Sequence, residues 1–245
     1  MKKIYFASDL HLGLPDYKQS RGREKLFVKW LETIRKDALE IFLVGDVFDF
    51  WWEYKRVVPR GYTRFLGKLS ELTDSGIPIH FFTGNHDIWI FDYLPEETGV
   101  KLHRKPIVRE FFDKKLFIAH GDGLGKGDYS YKLLKKIFTN KPLQWMFTRL
   151  HPNFALWLGN SWSVNSRAAK GITKEYLGPE KELLIQFAKE REKQEHFDYY
   201  VFGHRHLPLD LKVNESSRVI YLGDWIVNNT YGVLDENGFL LQKFS

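Results

Sequence analysis

Ile41-Phe42-Leu43-Val44-Gly45-Asp46-Val47-Phe48-Asp49-Phe50-Trp51-Trp52 is an apolar run that stops on a glycine and an aspartate and then turns aromatic. A short apolar run bounded by such a turn signal reads as a strand buried on both faces, with an acid at its carboxyl end. The pattern recurs outward in both directions, with β-rich runs at 4–8, 77–82, 116–119, 199–202 and 219–222. Between the first two strands, residues 24–37 place Leu26, Phe27, Trp30, Leu31 and Ile34 on one helical face, and 62–75 does the same with Phe65, Leu66, Leu69 and Leu72. Strands alternating with helices specify the α/β class. Pro179 ahead of the charged stretch 180–195 predicts a helix with proline near its start, and 230–234, Asn237-Gly238 and 239–243 predict a closing hairpin.

The residues just past the strand ends are chemically uniform. Asp9 and His11 come after the first strand, Asp46 after the second, Asn85 after the third, His120 after the fourth, and His204 and His206 after the fifth. In α/β sheets ligands bind outside the carboxyl ends of the strands, so these residues converge on one edge. The chain has no cysteine, so a metal there is held by oxygen and imidazole nitrogen alone. Such donors suit Mn²⁺, Fe²⁺ or Zn²⁺, and seven of them suffice for two ions sharing a bridge. Two ions ~3.5 to 4 Å apart acidify a water and neutralise a phosphoryl group during in-line attack.

Alone, Asp9-x-His11 or Gly45-Asp46 is an ordinary strand-end turn. In order along the chain, Asp9-x-His11, Gly45-Asp46-x-x-Asp49, Gly84-Asn85-His86-Asp87, His120-Gly121-Asp122 and Gly203-His204-x-His206 form a series that resembles the calcineurin-like metallophosphoesterases, with no ligand missing. That resemblance implies a β-sandwich flanked by helices. It implies one metal on Asp9, His11, Asp46 and His206 and a second on Asp46, Asn85, His120 and His204, with Asp46 bridging. His86 then faces substrate as the catalytic group acting on the leaving oxygen, oriented by Asp49 or Asp87.

Residues 128–173 interrupt the strand rhythm with eight aromatics and a helical pattern. We read them as a cap inserted in a single domain spanning 1–245. From 126 to 174 there are nine Lys/Arg against one acid, Asp128. A basic, aromatic cap over a phosphate-cleaving centre offers apolar volume to acyl chains, with Trp145 and Phe154 among the aromatics expected to bind them, and cations to a diphosphate or an anionic lipid surface. The plainer reading is that its aromatics pack as core and its charges form a solvated face.

Finer features resemble one branch of the superfamily, the UDP-2,3-diacylglucosamine pyrophosphohydrolases of lipid A synthesis. They are the aromatic run 47–52, Asp128 and Tyr131 where the cap begins, Asn165-Ser166-Arg167 with Lys170 where it ends, and His204-Arg205-His206-Leu207-Pro208. The resemblance implies cleavage of a nucleotide-linked diacyl sugar to UMP and an acylated sugar phosphate. It implies substrate contacts from Asn85, His86, Asp128, Tyr131, Asn165, Ser166, Arg167 and Lys170. It also implies two divalent ions, Mn²⁺ foremost, and a cytoplasmic protein peripherally associated with the inner membrane. The best-known form of the branch carries Arg at the position of His86; a phosphate leaving group needs little proton donation, so either cation serves.

Other classes are weaker. A nuclease would use the same metals and a basic patch, but without so apolar a lid, and no nucleic-acid partner is expected. A non-catalytic scaffold would show eroded ligands, and all seven are intact. The glycines of 121–127 lack the Gly-x4-Gly-Lys-Ser/Thr spacing of a P-loop. The amino-terminal run is cut off at Ser8-Asp9, as a strand and not a signal peptide, and the longest apolar candidate span, 143–159, contains Arg149, His151 and Pro152.

Overall fold

Successive side chains of the central strands enter two different cores, which is why the strands read as largely apolar runs. The computed structural model describes residues 2–127, 129–170 and 175–245, with the backbone alone at 130 and 164–170. Asp128, and the side chains of Asn165, Ser166, Arg167 and Lys170, lie outside the described residues.

One sheet has six strands: β1 (Lys3–Ala7), β2 (Ala38–Val44), β3 (Ile79–Phe82), β4 (Lys101–His103), β10 (Thr230–Asp235) and β11 (Gly238–Lys243). Their order is β11-β10-β1-β2-β3-β4, with β1 to β4 mutually parallel and the terminal hairpin antiparallel. The second sheet has β5 (Ile107–Phe111), β6 (Lys114–Ala119), β7 (Tyr199–Phe202), β8 (Pro208–Lys212) and β9 (Arg218–Leu222), in the order β5-β6-β7-β9-β8. Its β6, β7 and β9 are parallel, and its edges are antiparallel.

Ile4, Phe6, Phe42 and Val44 face Leu116, Ile118, Val201 and Ile220 between the sheets. Their neighbours Tyr5, Ala7, Ile41 and Leu43 pack outward with Phe27, Trp30, Phe65 and Leu69 of α1 (Tyr17–Ile34) and α2 (Thr63–Asp74). On the far side, Phe117, Tyr200 and Phe202 meet Leu184, Ile185 and Ala188 of α7 (Leu183–Glu192). The result is a sandwich with helices on both outer faces. Truncating a fully buried ring such as Phe6 to alanine costs about 3–5 kcal/mol in sites of this kind.

Helix α1 begins earlier than its apolar face because Asp16 caps it, accepting from Gln19 N at 2.9 Å, while residues 17–19 are exposed and show no periodicity. Helix α7 is shorter than predicted: Glu182 is its N-cap, and Pro179 stays in the preceding turn. Strands β4, β5 and β8 and helix α3 (Tyr93–Thr98) have no counterpart in the sequence reading. All are short or at an edge, and Ile107-Val108-Arg109-Glu110-Phe111 is only half buried. Between β6 and α7 lie α4 (Tyr129–Phe138), α5 (Lys141–Phe147) and α6 (Pro152–Lys170), with no strand among the described residues.

Candidate active site

The parallel ladder of the first sheet continues past the strand ends into the loops that carry the site. Asp9 N donates to Gly45 O at 3.1 Å, His11 N to Asp46 O at 3.0 Å, and across the sandwich Gly203 N donates to His120 O at 3.0 Å. Asp9, His11, Asp46, His204 and His206 all have positive φ, between 45° and 68°. Such backbones are sparsely populated and turn the side chains sharply inward. Gly84 has no room for more than hydrogen, since a Cβ there would overlap the Asp46 carboxylate.

The loops bring the seven predicted metal donors together. His206 Nε2 is 3.4 Å from Asp9 Oδ1, and His11 Nε2 is 3.9 Å from Asp9 Oδ1 and 3.7 Å from Asp46 Oδ2. His120 Nε2 is 3.3 Å from Asp46 Oδ2 and 3.4 Å from Asn85 Oδ1. Three overlapping groups able to hold an ion emerge among the described residues, Asp9-His11-His206, Asp46-His120-His204 and His11-Asp46-His86. Asp9 Oδ1 and His11 Nε2 are buried and find no hydrogen-bond partner among the described residues, although Asp9 Oδ2 accepts from His204 N at 2.9 Å. Buried polar atoms left without hydrogen, all aimed at one point, fit a cation.

Electrostatics agree. Burial disfavours charge on each group, but Asp46 raises His120 to about 10, and the hydrogen bond to Asp49, with the carboxylates of Asp9 and Asp46 close by, raises His11 to about 10. Against the same burial, His120 and His86 hold Asp46 well below the carboxylate range, and His206 and His11 lower Asp9. Burial and repulsion from His120 bring His204 down to about 4, which leaves a neutral imidazole. Divalent ions replace such mutually stabilising protons.

The imidazoles able to hold an ion are held from behind. His120 Nδ1 is 2.8 Å from Val44 O, which fixes its proton there and turns Nε2 to the centre. His11 Nδ1 is likewise 3.1 Å from Asp49 Oδ1, and His206 Nδ1 is 3.6 Å from Asp224 Oδ2. Beneath them Arg23, a buried guanidinium on α1, donates to His11 O at 2.6 Å and also to Leu14 O.

His86 donates its backbone N–H to Asp46 Oδ1 at 2.9 Å. Its Nδ1 is 3.0 Å from Asp49 O and 2.9 Å from Ser163 Oγ. Of the two acids proposed to orient it, Asp49 is the one beside it. Asp87 instead accepts from Val47 N, Phe48 N and Gly84 N at 2.8, 3.3 and 2.7 Å, and so clamps two loops. Asp224, Ser163 and Arg23 were not among the residues singled out from sequence. Gly223-Asp224, repeating Gly45-Asp46 after another strand, is the signal that could have found the first.

Asn85, His86 and His204 form one end of a cavity of about 350 Å³. Its walls are Phe50, Trp52 and Trp89 on one side and Leu134, Phe138, Leu143, Phe147 and Trp162 on α4 to α6 on the other. Tyr131 lines it, with its hydroxyl 2.5 Å from Asp122 Oδ2, a carboxylate also bound by Lys135. Trp145 and Phe154, read from sequence as binding acyl chains, stand outside the cavity and are 59% and 50% exposed. Helical spacing shows which residues share a face, not which face turns inward.

The profile of the calcineurin-like phosphoesterases matches residues 2–208. A Porphyromonas gingivalis protein named UDP-2,3-diacylglucosamine hydrolase is 40% identical over 98% of this chain and 97% of its own length. Proteins of the same name from Histophilus somni and Vibrio parahaemolyticus are 27% and 26% identical, over 98% and 97% of this chain and 99% and 96% of theirs. Identity of that order from end to end reaches past a shared fold, and the chain belongs to the calcineurin-like phosphoesterases, a family of metal-dependent hydrolases.

Proposed function

We propose that the chain cleaves the diphosphate of UDP-2,3-diacylglucosamine, giving UMP and 2,3-diacylglucosamine 1-phosphate for lipid A synthesis. The observation that carries this reading is the cavity. It joins the imidazoles and amide of the centre to a long apolar wall, and a soluble nucleotide has no use for that wall while an acyl chain does. The names of the near-full-length relatives support the same substrate.

On this reading Asp9, His11, Asp46 and His206 hold one divalent ion, and Asp46, Asn85, His120 and His204 hold the other, with Mn²⁺ ahead of Fe²⁺ and Zn²⁺ for an oxygen and nitrogen donor set. When bound, the ions supply Lewis-acid charge and acidify the attacking water. The chain's own residues do the rest. Asp49 and Val44 O fix the tautomers of His11 and His120, so their Nε2 atoms face the centre. His86 faces the reacting phosphoryl group from the cavity side and meets charge on the leaving oxygen, and Asn85 holds substrate beside it.

Helices α4 to α6 serve as a cap. Their inner side takes acyl chain, with Tyr131 at its mouth; Asp128, Asn165, Ser166, Arg167 and Lys170 complete the contacts to the sugar diphosphate. On the outer side Trp145, Met146, Phe154 and Trp157 are exposed, on helices that also expose Lys136, Lys141 and Arg149 at their surface or just beyond their ends. Aromatics and cations together suit an anionic lipid surface, and a peripheral seat on the cytoplasmic face of the inner membrane would place the cap at its substrate. No helix among the described residues is long and apolar enough to cross a membrane.

The test is to incubate the Mn²⁺-loaded protein with UDP-2,3-diacylglucosamine in detergent and detect both products by mass spectrometry, with UDP-N-acetylglucosamine and a single-stranded oligonucleotide in parallel. Burial of even four methylenes is worth about 3 kcal/mol, so the acylated substrate should win by roughly two decades. Equal turnover of the unacylated nucleotide, or preference for the oligonucleotide, overturns the assignment.

A further inference from the structure

The centre and the cap meet at one polar point. Ser163 lies on α6, is 4% exposed, and directs its Oγ out of the cap into the loop that follows β2. That oxygen is 2.9 Å from His86 Nδ1, 3.1 Å from Asp49 Oδ2 and 3.3 Å from Asp49 O.

Proton counting fixes the direction of each bond. Asp49 O can only accept, so the hydrogen on His86 sits on Nδ1, shared between Asp49 O and Ser163 Oγ. The serine hydroxyl then donates its own hydrogen to Asp49 Oδ2, while the other carboxylate oxygen accepts from His11 Nδ1 at 3.1 Å. One carboxylate thus orients two imidazoles, His11 directly and His86 through a hydroxyl carried by a different part of the chain.

The approach of α6 is set one turn earlier. Gly159 lies against the Phe50 ring so closely that a Cβ would overlap it, and Phe50 is the neighbour of Asp49. Glycine at that point lets the helix descend until Ser163 reaches the loop.

We infer that Ser163 is a positioning residue for His86: seated on the body, the cap completes the hydrogen bonding at Nδ1 and so turns Nε2 toward the reacting group. The inference rests on the reading of His86 as the group that faces substrate. An unseated cap takes the Ser163 anchor away from the ring, so that seating of the cap and readiness of His86 are the same event.

A double-mutant cycle on the full-length, metal-loaded protein tests this, with bis(4-nitrophenyl) phosphate as a substrate too small to need the apolar wall. Ser163→Ala suits a helix and should leave thermal stability and metal content unchanged. It should lower kcat roughly tenfold with KM nearly constant, and have no further effect once His86→Ala is present, because coupled residues are non-additive. In nitrogen-resolved NMR of the histidine rings, Ser163→Ala should shift the His86 Nδ1 signal, identified by its loss in His86→Ala, and leave the His120 ring signals in place. An equal fall in both backgrounds overturns the inference, as does a costly His86→Ala beside a silent Ser163→Ala. If His86→Ala is itself without effect, the reading of His86 fails and takes this one with it, an outcome told apart by that single variant.

Discussion

The carboxylate of Asp224 stands 3.6 Å behind His206 Nδ1, fully buried, with its other oxygen accepting from the backbone N–H groups of Ile226, Val227 and Asn228 at 3.0, 2.8 and 3.0 Å. Three N–H groups immobilise one oxygen, and the second is aimed at the imidazole. Asp224→Asn keeps an oxygen for the backbone and removes the charge behind the ring. Outer partners of this kind are worth about 10- to 100-fold in metal affinity. Calorimetric Mn²⁺ titration of the metal-stripped variant should show that loss with the fold intact. Unchanged affinity would mean that His206 needs no help.

Asp46 touches both donor groups, through His11 Nε2 at 3.7 Å and His120 Nε2 at 3.3 Å. Asp46→Ala should bring bound metal below two ions per chain, measured by plasma mass spectrometry after desalting, and abolish most turnover while circular dichroism stays native. Two ions per chain with near-normal turnover would remove Asp46 from the bridge.

The two sides of the cap should separate in experiment. Phe147 lines the cavity and Trp157 is 63% exposed on the outside. Phe147→Asp should cost about two decades on the diacyl substrate, by loss of burial for several methylenes, and spare a small phosphodiester. Trp157→Asp should leave turnover in detergent untouched and weaken sedimentation with vesicles containing anionic lipid. If Phe147→Asp harms both substrates equally, the cap is core and not a binding wall.

Away from the centre, His103 is held down to about 4 by burial first and then by His80, Arg109 and Lys101. A histidine with a depressed folded pKa is neutral in the fold and takes up a proton on unfolding, so it contributes least to stability at low pH. Its share is full above the unfolded value, about 6.5, and is lost as pH falls from there toward about 4. Urea midpoints at pH 7 and pH 4.5 should therefore lie closer together in His103→Gln than in the parent. An unchanged gap would place the acid sensitivity elsewhere.

Strands that are buried on both faces were legible because their runs are apolar with at most a lone exception such as His80 in β3, and each predicted donor lies within a few residues of such a strand. Register against the strand end is what makes Asp9, Asp46, Asn85, His120 and His204 readable from one chain. Ser163 offers no such register: one hydroxyl among the aromatics of a helix looks like any polar position on a half-buried face. The choice between Asp49 and Asp87 beside His86 was also closed to sequence, since both sit in turns and only three-dimensional placement shows that Asp87 is occupied by backbone N–H groups. Trp145 and Phe154 failed for a related reason, as the composition of the cap is apolar on both of its sides.

The left-handed backbone at Asp9, His11, Asp46, His204 and His206 bears on which side chains the centre could ever use. Aspartate, asparagine and histidine tolerate that conformation better than other residues with side chains, and they are also hard or borderline metal ligands. Glutamate shares the carboxylate but not the tolerance, and its extra methylene would have to fit where Asp46 is already 1% exposed. Two unrelated filters, backbone shape and donor chemistry, therefore overlap on one short alphabet, and a conservative acid-for-acid exchange at Asp46 would pass the second and fail the first.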